Sequence, residues 1–148
     1  MEKWEWASMS DFFNRERLLR LMAEEGIDAV IATSKCNAAY LGASWGPADD
    51  HPMHLYSGGA PDKRFAIFTA ERETCYSGLV DRTRWDQITR PISDFIRDRH
   101  LEDRVIAVEM DHMPAEDYTA IKNRLPNAKI VNAMRLLLET RMVKTEPE

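Results

Sequence analysis

The chain has 148 residues, with 44% apolar and 30% charged side chains and a net charge of -5. This length fits one domain, since domains typically have ~100–150 residues, and a chain of this size buries enough surface to hold a core without disulfides. The acidic balance argues against nucleic acid as the main partner, and the sequence contains no apolar run of about 18 residues that would predict a membrane span.

The N-terminus and the two cysteines indicate a cytoplasmic protein. The opening stretch, MEKWEWASMSDFF, is acidic and too polar for a secretory signal. Cys36 and Cys75 lie far apart and form no C-x-x-C motif, a pattern typical of reduced thiols. The aromatic side chains of this N-terminal stretch predict a cluster that covers a sheet edge or a partner surface. Its members are Trp4, Trp6, Phe12 and Phe13.

The first elements predicted are a helix followed by a buried strand. Ser10 is a candidate N-cap for a helix from Asp11 to Glu25, and Gly26 suits the left-handed position that ends a helix. The apolar stretch DAVIAT, at 28–33, contains β-branched residues and predicts a short strand buried on both faces.

A second short helix and an irregular stretch follow. Ser34 is a candidate cap for a helix over KCNAAYL, at 35–41, on which we expect Cys36 to be a buried small hydrophobic residue. Glycines, prolines and adjacent aspartates break the periodicity of 42–63, which therefore predicts a long surface loop.

The centre of the chain predicts a β-hairpin and then a helix. RFAIFTA, at 64–70, reads as a strand, and TCYSGLV, at 74–80, reads as its antiparallel partner. Between 81 and 100 the apolar spacing predicts a helix, and Pro91 predicts that this helix starts or bends there.

The last third predicts a strand, a helix, a strand and a helix. RVIAVEM, at 104–110, is the clearest strand, and Pro114 suits the first turn of a helix that runs through Arg124. KIVNA, at 129–133, predicts another strand, and Asn132 is a candidate cap for the closing helix AMRLLLETRM.

Helices that alternate with strands around a hairpin predict an α/β domain with a mixed β-sheet flanked by helices in three layers. We expect the continuous apolar runs to form neighbouring central strands covered on both faces. The residues concerned are Val30, Ile31, Ile106 and Val108.

Two segments resemble the N-terminal domain of the creatinase, prolidase and aminopeptidase P family. In the first, RERLLRLMAEEGIDAVIATSKCNAAYL, a helix, a Gly-hydrophobic-Asp turn, a strand and an Asn-x-x-Tyr-Leu motif follow one another. The matching residues are Gly26, Ile27, Asp28, Asn37, Tyr40 and Leu41. In the second, a strand ends in Glu109, and the chain closes on the family's Arg-x-x-Lys-(Ser/Thr)-x-x-Glu pattern. That pattern falls on Arg141, Lys144, Thr145 and Glu148.

The resemblance implies a fold with a ribonuclease H-like motif and a domain that occupies residues 1–148 without catalytic residues. It also implies that a catalytic "pita-bread" domain begins near 145–148, in a longer protein that forms a homodimer. That enzyme would cleave an Xaa-Pro dipeptide or a related C–N bond with a pair of Mn, Co or Zn ions held by two Asp, one His and two Glu of the catalytic domain. Metal-free members and lyases share the scaffold, so the class of reaction stays open.

The resemblance further implies that the loop after Tyr40-Leu41 approaches the active site of the neighbouring subunit. This loop departs from the family, because Gly42-Ala43 replace the usual Thr-Gly. The candidate residues for substrate access are Trp45, His51 and His54, and the alternative for Trp45 is packing against its own domain.

The same loop contains Asp49, Asp50, His51 and His54, which together are a candidate metal-binding set. We favour a solvated loop, because Pro52 lies within this stretch and no further ligand is apparent.

Three other patterns have a chemical and a structural interpretation. Cys36 with a histidine is a candidate nucleophile pair, and Glu109 with Asp111 is a candidate acid–base pair. For the carboxylates we favour an ion pair with arginine or the capping of the next helix. The stretch YSGGAP lacks the Lys-Ser/Thr of a phosphate-binding loop and predicts a turn.

Two functions from different classes remain at this point. The first is the accessory domain of a hydrolase implied by the resemblance, with its own C-terminal catalytic domain as partner. The second is a free-standing α/β domain that binds a small molecule or a protein.

Overall fold

The computed structural model describes residues 14–42, 65–71, 74–77 and 89–142. Within these residues helices and strands alternate, and a 3-10 turn at Met110–His112 follows the fourth strand. In chain order the elements are α1 Arg15–Glu25, β1 Ala29–Ala32, α2 Lys35–Gly42, β2 Phe65–Thr69, β3 Thr74–Ser77, α3 Thr89–Asp98, β4 Val105–Val108, α4 Ala115–Arg124, β5 Lys129–Asn132 and α5 Met134–Arg141.

The strands form one mixed sheet in the order β3-β2-β1-β4-β5. β2 is antiparallel to β1, with Ile31 opposite Ile67, and also to its hairpin partner β3, with Ile67 opposite Cys75. β1, β4 and β5 are parallel to one another, with Ile31 beside Val108. The predicted mixed sheet and its hairpin are therefore confirmed.

Successive residues of each strand point to opposite faces, so the sheet separates two apolar layers. The first layer contains side chains of α1, α2 and α5 together with Val30, Ala66 and Ala107. The second contains side chains of α3 and α4 together with Ile31 and further strand residues. The four strand residues predicted to be central are fully buried on β1 and β4, which confirms that prediction. They are Val30, Ile31, Ile106 and Val108.

The two ends of α1 show one correct and one wrong prediction. Gly26 ends the helix with a φ of 68°, and its N–H and that of Ile27 donate to carbonyls of the last turn, as in a Schellman motif. The helix begins at Arg15 with Asn14 as its N-cap, whose Oδ1 accepts from the N–H of Arg17. Ser10, the predicted cap, lies outside the described residues.

The other described boundaries agree with the sequence to within a few residues, whereas residues 81–88, at the predicted start of the third helix, lie outside the described residues. The hydroxyl of Ser34 accepts from the N–H of Asn37 at the start of α2, and Asn132 Oδ1 accepts from the N–H of Met134 at the start of α5. Pro91 lies in the first turn of α3, and Pro114 immediately precedes α4 at its N-cap position. In the part of the chain that the structure describes, no helix is long and apolar enough to cross a membrane.

Candidate functional site

The carboxyl ends of β1 and β4 are the natural place for a site in this fold. These two strands are adjacent and parallel, so their ends lie at the same edge of the sheet. The helix after β1 covers the first layer, and the helix after β4 covers the second. Neighbouring strands whose connections diverge in this way open a crevice at the sheet edge, where α/β proteins commonly bind ligands.

The side chain of Glu109, the residue after β4, occupies this position. Its Oε2 accepts hydrogen bonds from the backbone N–H groups of Thr33 and Ser34, both at 2.9 Å. Its Oε1 accepts from Asn37 Nδ2 at 2.7 Å, and the residue is only 2% exposed. A carboxylate at the N-terminus of α2 satisfies backbone donors that have no partner within the helix and complements the helix dipole.

The polar contacts continue from Glu109 to the last helix. Asn37 Oδ1 accepts from Arg141 Nη1 at 3.1 Å, and the Arg141 guanidinium lies 5.9 Å from the centre of the Tyr40 ring. The Tyr40 hydroxyl in turn accepts from the backbone N–H of Asn14 at the start of α1. We call Thr33, Ser34, Asn37, Glu109 and Arg141 the carboxyl-end network, since their hydrogen bonds connect β1, α2, β4 and α5.

The carboxyl-end network decides between the two interpretations of Glu109. Its acceptor oxygens are engaged by the start of α2, and Asp111 is exposed in the following 3-10 turn. Glu109 therefore has a structural role, but in neither of the two forms that the sequence predicted. The helix that Glu109 caps is α2, which comes earlier in the chain, instead of the next helix, and its side-chain partner is Asn37 instead of an arginine.

The prediction for Cys36 was wrong. Cys36 is exposed on α2, whereas Ala38 and Leu41 of the same helix are fully buried. Positions 38 and 41 are three residues apart and share a face, while position 36 lies about 200° around the helix from 38, on the opposite side. The eight-residue helix buries only one face, which the short apolar sequence did not reveal.

The loop candidates for substrate access and metal binding lie outside the described residues. These are Trp45, Asp49, Asp50, His51 and His54. Within residues 14–42, 65–71, 74–77 and 89–142, no three His, Cys, Asp or Glu side chains converge as a metal site requires.

A second cleft lies near the other end of β1. Its volume is about 290 Å³, and it is lined by Asp28, Thr69, Ala70, Glu71, Arg99 and Leu101. The Asp28 carboxylate accepts a hydrogen bond from the backbone N–H of Val105 at 3.1 Å. The backbone carbonyl of Asp28 accepts one from the backbone N–H of Ala70. Asp28 thus connects β1 to its two neighbouring strands, and the volume is at the lower limit of small-molecule sites.

Sequence reasoning did not foresee that the carboxyl-end network joins motif residues distant in sequence. Asn37 belongs to the Asn-x-x-Tyr-Leu motif, Glu109 ends the later strand, and Arg141 opens the closing motif. The bonds span 72 and 104 residues along the chain. The available signal was that all three residues lie in the segments that resemble the family. Nothing in the local patterns of these segments specified that the three side chains meet.

Comparison with known proteins relates this fold to one family. Residues 14–143 match the family model described as the Creatinase/Prolidase N-terminal domain. No curated protein matches the chain closely enough to count as a relative.

Solved structures of similar fold come from peptidases. The N-terminal domain of the cytoplasmic peptidase PepQ from Mycobacterium tuberculosis matches with a TM-score of 0.60 and 16% identity, over 86% of this chain and 98% of that one. A dipeptidase from Pyrococcus horikoshii has a TM-score of 0.62 and 16% identity, over 90% of this chain and 37% of that one. An X-Pro aminopeptidase from Thermotoga maritima has a TM-score of 0.54 and 22% identity, over 90% and 37% of the two chains. At these identities the likeness supports the fold, and this chain spans little more than a third of the last two proteins.

Proposed function

Because the chain belongs to the Creatinase/Prolidase N-terminal domain family, we propose that it is the non-catalytic N-terminal domain of a creatinase- or Xaa-Pro dipeptidase-like hydrolase. In this proposal the domain contributes to the homodimer and to substrate access, and a catalytic domain beyond Glu148 performs the reaction. The metal ligands, two Asp, one His and two Glu, would all belong to that catalytic domain. The parent enzyme would act in the cytoplasm, as the cytoplasmic peptidase PepQ does.

The observation that carries the non-catalytic role is the position of Glu109. The crevice at the carboxyl ends of β1 and β4 is where an α/β fold would receive an anionic ligand, next to the N-terminus of a helix. Here an internal carboxylate takes that place and receives the N–H groups of Thr33 and Ser34. The site is thus used to hold α2 and, through Asn37 and Arg141, the end of α5.

The contribution to substrate access is assigned to the loop that contains Trp45, His51 and His54. This loop lies outside the described residues, so the assignment stays a prediction. An indole offers a large contact surface at small entropic cost, and imidazoles donate or accept near neutral pH.

The activity of the 148-residue chain tests whether catalysis belongs to the catalytic domain alone. We expect no turnover of an Xaa-Pro dipeptide or of creatine, with or without added Mn²⁺, Co²⁺ or Zn²⁺, because the described residues offer no convergent ligand set. The longer protein encoded by the continuous reading frame is the positive control. Turnover by the 148-residue chain that a chelator abolishes would contradict the proposal, as would a reading frame without the downstream Asp, His and Glu ligands.

The second candidate is a free-standing domain that binds a small molecule or a protein, and the cleft beside Asp28 favours it. Both carboxylates, Asp28 and Glu71, and the cation Arg99 line this cleft. A zwitterionic ligand such as an amino acid would match such a lining. Calorimetric titration of the 148-residue chain with amino acids, compared with its Glu71→Gln variant, separates this candidate from the accessory domain, for which no binding is expected.

A further inference from the structure

The last helix carries an apolar stripe on its outer face. Met134 is 48% exposed, Leu138 is 61% exposed and Met142, the residue after the helix, is 70% exposed. They are four residues apart, so they lie above one another on one face over about 12 Å. These three are the exposed large hydrophobic residues within the part of the chain that the structure describes. We call them the α5 stripe.

The opposite face of α5 is fixed to the domain. Leu136, Leu137 and Thr140 are buried, and the carbonyl of Glu139 accepts from Arg17 Nε of α1 at 2.7 Å. Arg141 at the end of the helix donates to Asn37 of the carboxyl-end network. The stripe therefore lies on a helix that the rest of the domain holds in place. Binding of a partner would not carry the entropic cost of ordering this helix.

Two charged side chains beside the stripe, Arg135 and Glu139, form an ion pair with each other. Arg135 Nε donates to Glu139 Oε1 at 2.7 Å, and this hydrogen bond raises the pKa of the Arg135 guanidinium. Exposed apolar side chains that line up on a rigid element mark an interaction surface more often than scattered ones do. Methionine at both ends of the stripe suits an apolar partner, because its thioether chain adapts its shape to the facing surface.

We propose that the α5 stripe is the docking surface for the catalytic domain that follows this chain, an inference that rests on the proposed function. The position of Met142 at the end of the described fold supports this occupant. Met142 is both the most exposed member of the stripe and the last described residue, and the proposed start of the catalytic domain, near 145–148, lies no more than six residues beyond it. Six residues span at most about 20 Å, so a catalytic domain that begins near 145–148 starts within reach of the stripe. Its facing surface would be an apolar patch of similar length.

The two methionines of the stripe are natural probes for oxidation footprinting with hydrogen peroxide. In the 148-residue chain we expect Met134 and Met142 to oxidise readily, and Met22, which is 1% exposed, to resist. In the longer protein both stripe methionines should oxidise on the order of tenfold more slowly, because oxidation follows exposure of the thioether. Met110 in the 3-10 turn is not a member of the stripe and should oxidise at the same rate in both proteins.

A pair of variants of the longer protein provides the matched comparison. Leu138→Glu places a charge in the middle of the stripe and should restore rapid oxidation of Met134 and Met142. Asn123→Glu adds the same charge at an exposed position of α4, on the other layer, and should leave their protection intact. Circular dichroism of the Leu138→Glu form of the 148-residue chain confirms that the domain itself remains folded.

The outcomes separate the docking surface from the proposed function. An active Xaa-Pro peptidase whose stripe methionines oxidise as fast as in the 148-residue chain would overturn the docking surface alone. Protection already present in the 148-residue chain would also overturn it, because another segment of this chain or a second copy would then cover the stripe. A longer protein that protects the stripe but cleaves neither an Xaa-Pro dipeptide nor creatine would refute the proposed function and leave the docking surface standing.

Discussion

At the scale of single residues, Glu109 matters because of its charge and its number of acceptor sites together. A carboxylate has only acceptors, and here it faces three donors, from Thr33, Ser34 and Asn37. A glutamine has the same shape but would turn an NH₂ group toward a donor. If the Asn37 amide flipped to accept from that group, it would lose the oxygen that accepts from Arg141. The substitution therefore leaves one hydrogen bond of the carboxyl-end network unformed, either at residue 109 or between Asn37 and Arg141.

We predict that Glu109→Gln lowers the free energy of unfolding by about 1.5–3 kcal/mol, the usual contribution of hydrogen bonds to a charged group. The matched control is Asp111→Asn, two residues away and exposed, which should change the stability by no more than about 0.5 kcal/mol. Urea denaturation of the three proteins measures both values. Equal midpoints for Glu109→Gln and Asp111→Asn would mean that the Glu109 carboxylate does not hold α2.

At the scale of elements, the turn between α1 and β1 depends on the backbone of Gly26. Its φ of 68° lies in the left-handed region, and an added Cβ would meet no atom within 4 Å. Only backbone strain then opposes a side chain at this position, so we predict that Gly26→Ala costs about 1–2 kcal/mol. Gly26→Asn should cost less, because asparagine tolerates this conformation. Chemical denaturation checks the order, and an alanine variant as stable as the parent would contradict the left-handed turn.

The elements themselves could largely be predicted, because their signals are local. Runs such as AVIA and VIAV are apolar at every position, and a strand buried on both faces requires that pattern. The start of α1 could not be predicted in this way, since Ser10 and Asn14 are both good caps. What distinguishes Asn14 is a tertiary contact, the hydrogen bond from its backbone N–H to the Tyr40 hydroxyl.

The candidate site and the α5 stripe could not be predicted from the sequence for a similar reason, because both depend on tertiary packing. The sequence MRLLLETR contains three consecutive leucines, which spread over more than one face of a helix, so it does not say which leucine faces outward. Only the position of the sheet shows that Leu136 and Leu137 are buried and that Leu138 is exposed. Likewise, Glu109 meets Asn37 only because β1 and β4 are neighbours in the sheet.

At the scale of the whole molecule, the sheet divides the core into two layers that share the strands but not their helices. Leu18 of α1 belongs to the first layer, and Ile121 of α4 belongs to the second. Side chains on opposite faces of a sheet point away from each other, and helices packed on the two faces lie farther apart than direct contact allows. Substitutions in different layers should therefore act independently.

We predict that Leu18→Ala costs about 2–5 kcal/mol and Ile121→Val about 0.5–1.5 kcal/mol, from lost burial and the cavity left behind. In the double variant the two losses should add to within about 0.5 kcal/mol, as they do for distant sites without shared partners. The control is a pair within the second layer, Ile96→Val with Ile121→Val, since α3 and α4 pack together and a coupling above that limit is expected there. The free energies come from urea denaturation of each variant, followed by circular dichroism. A coupling between Leu18 and Ile121 as large as that within the second layer would mean that the sheet does not insulate its two faces, and that strain crosses β1 and β4 from one set of helices to the other.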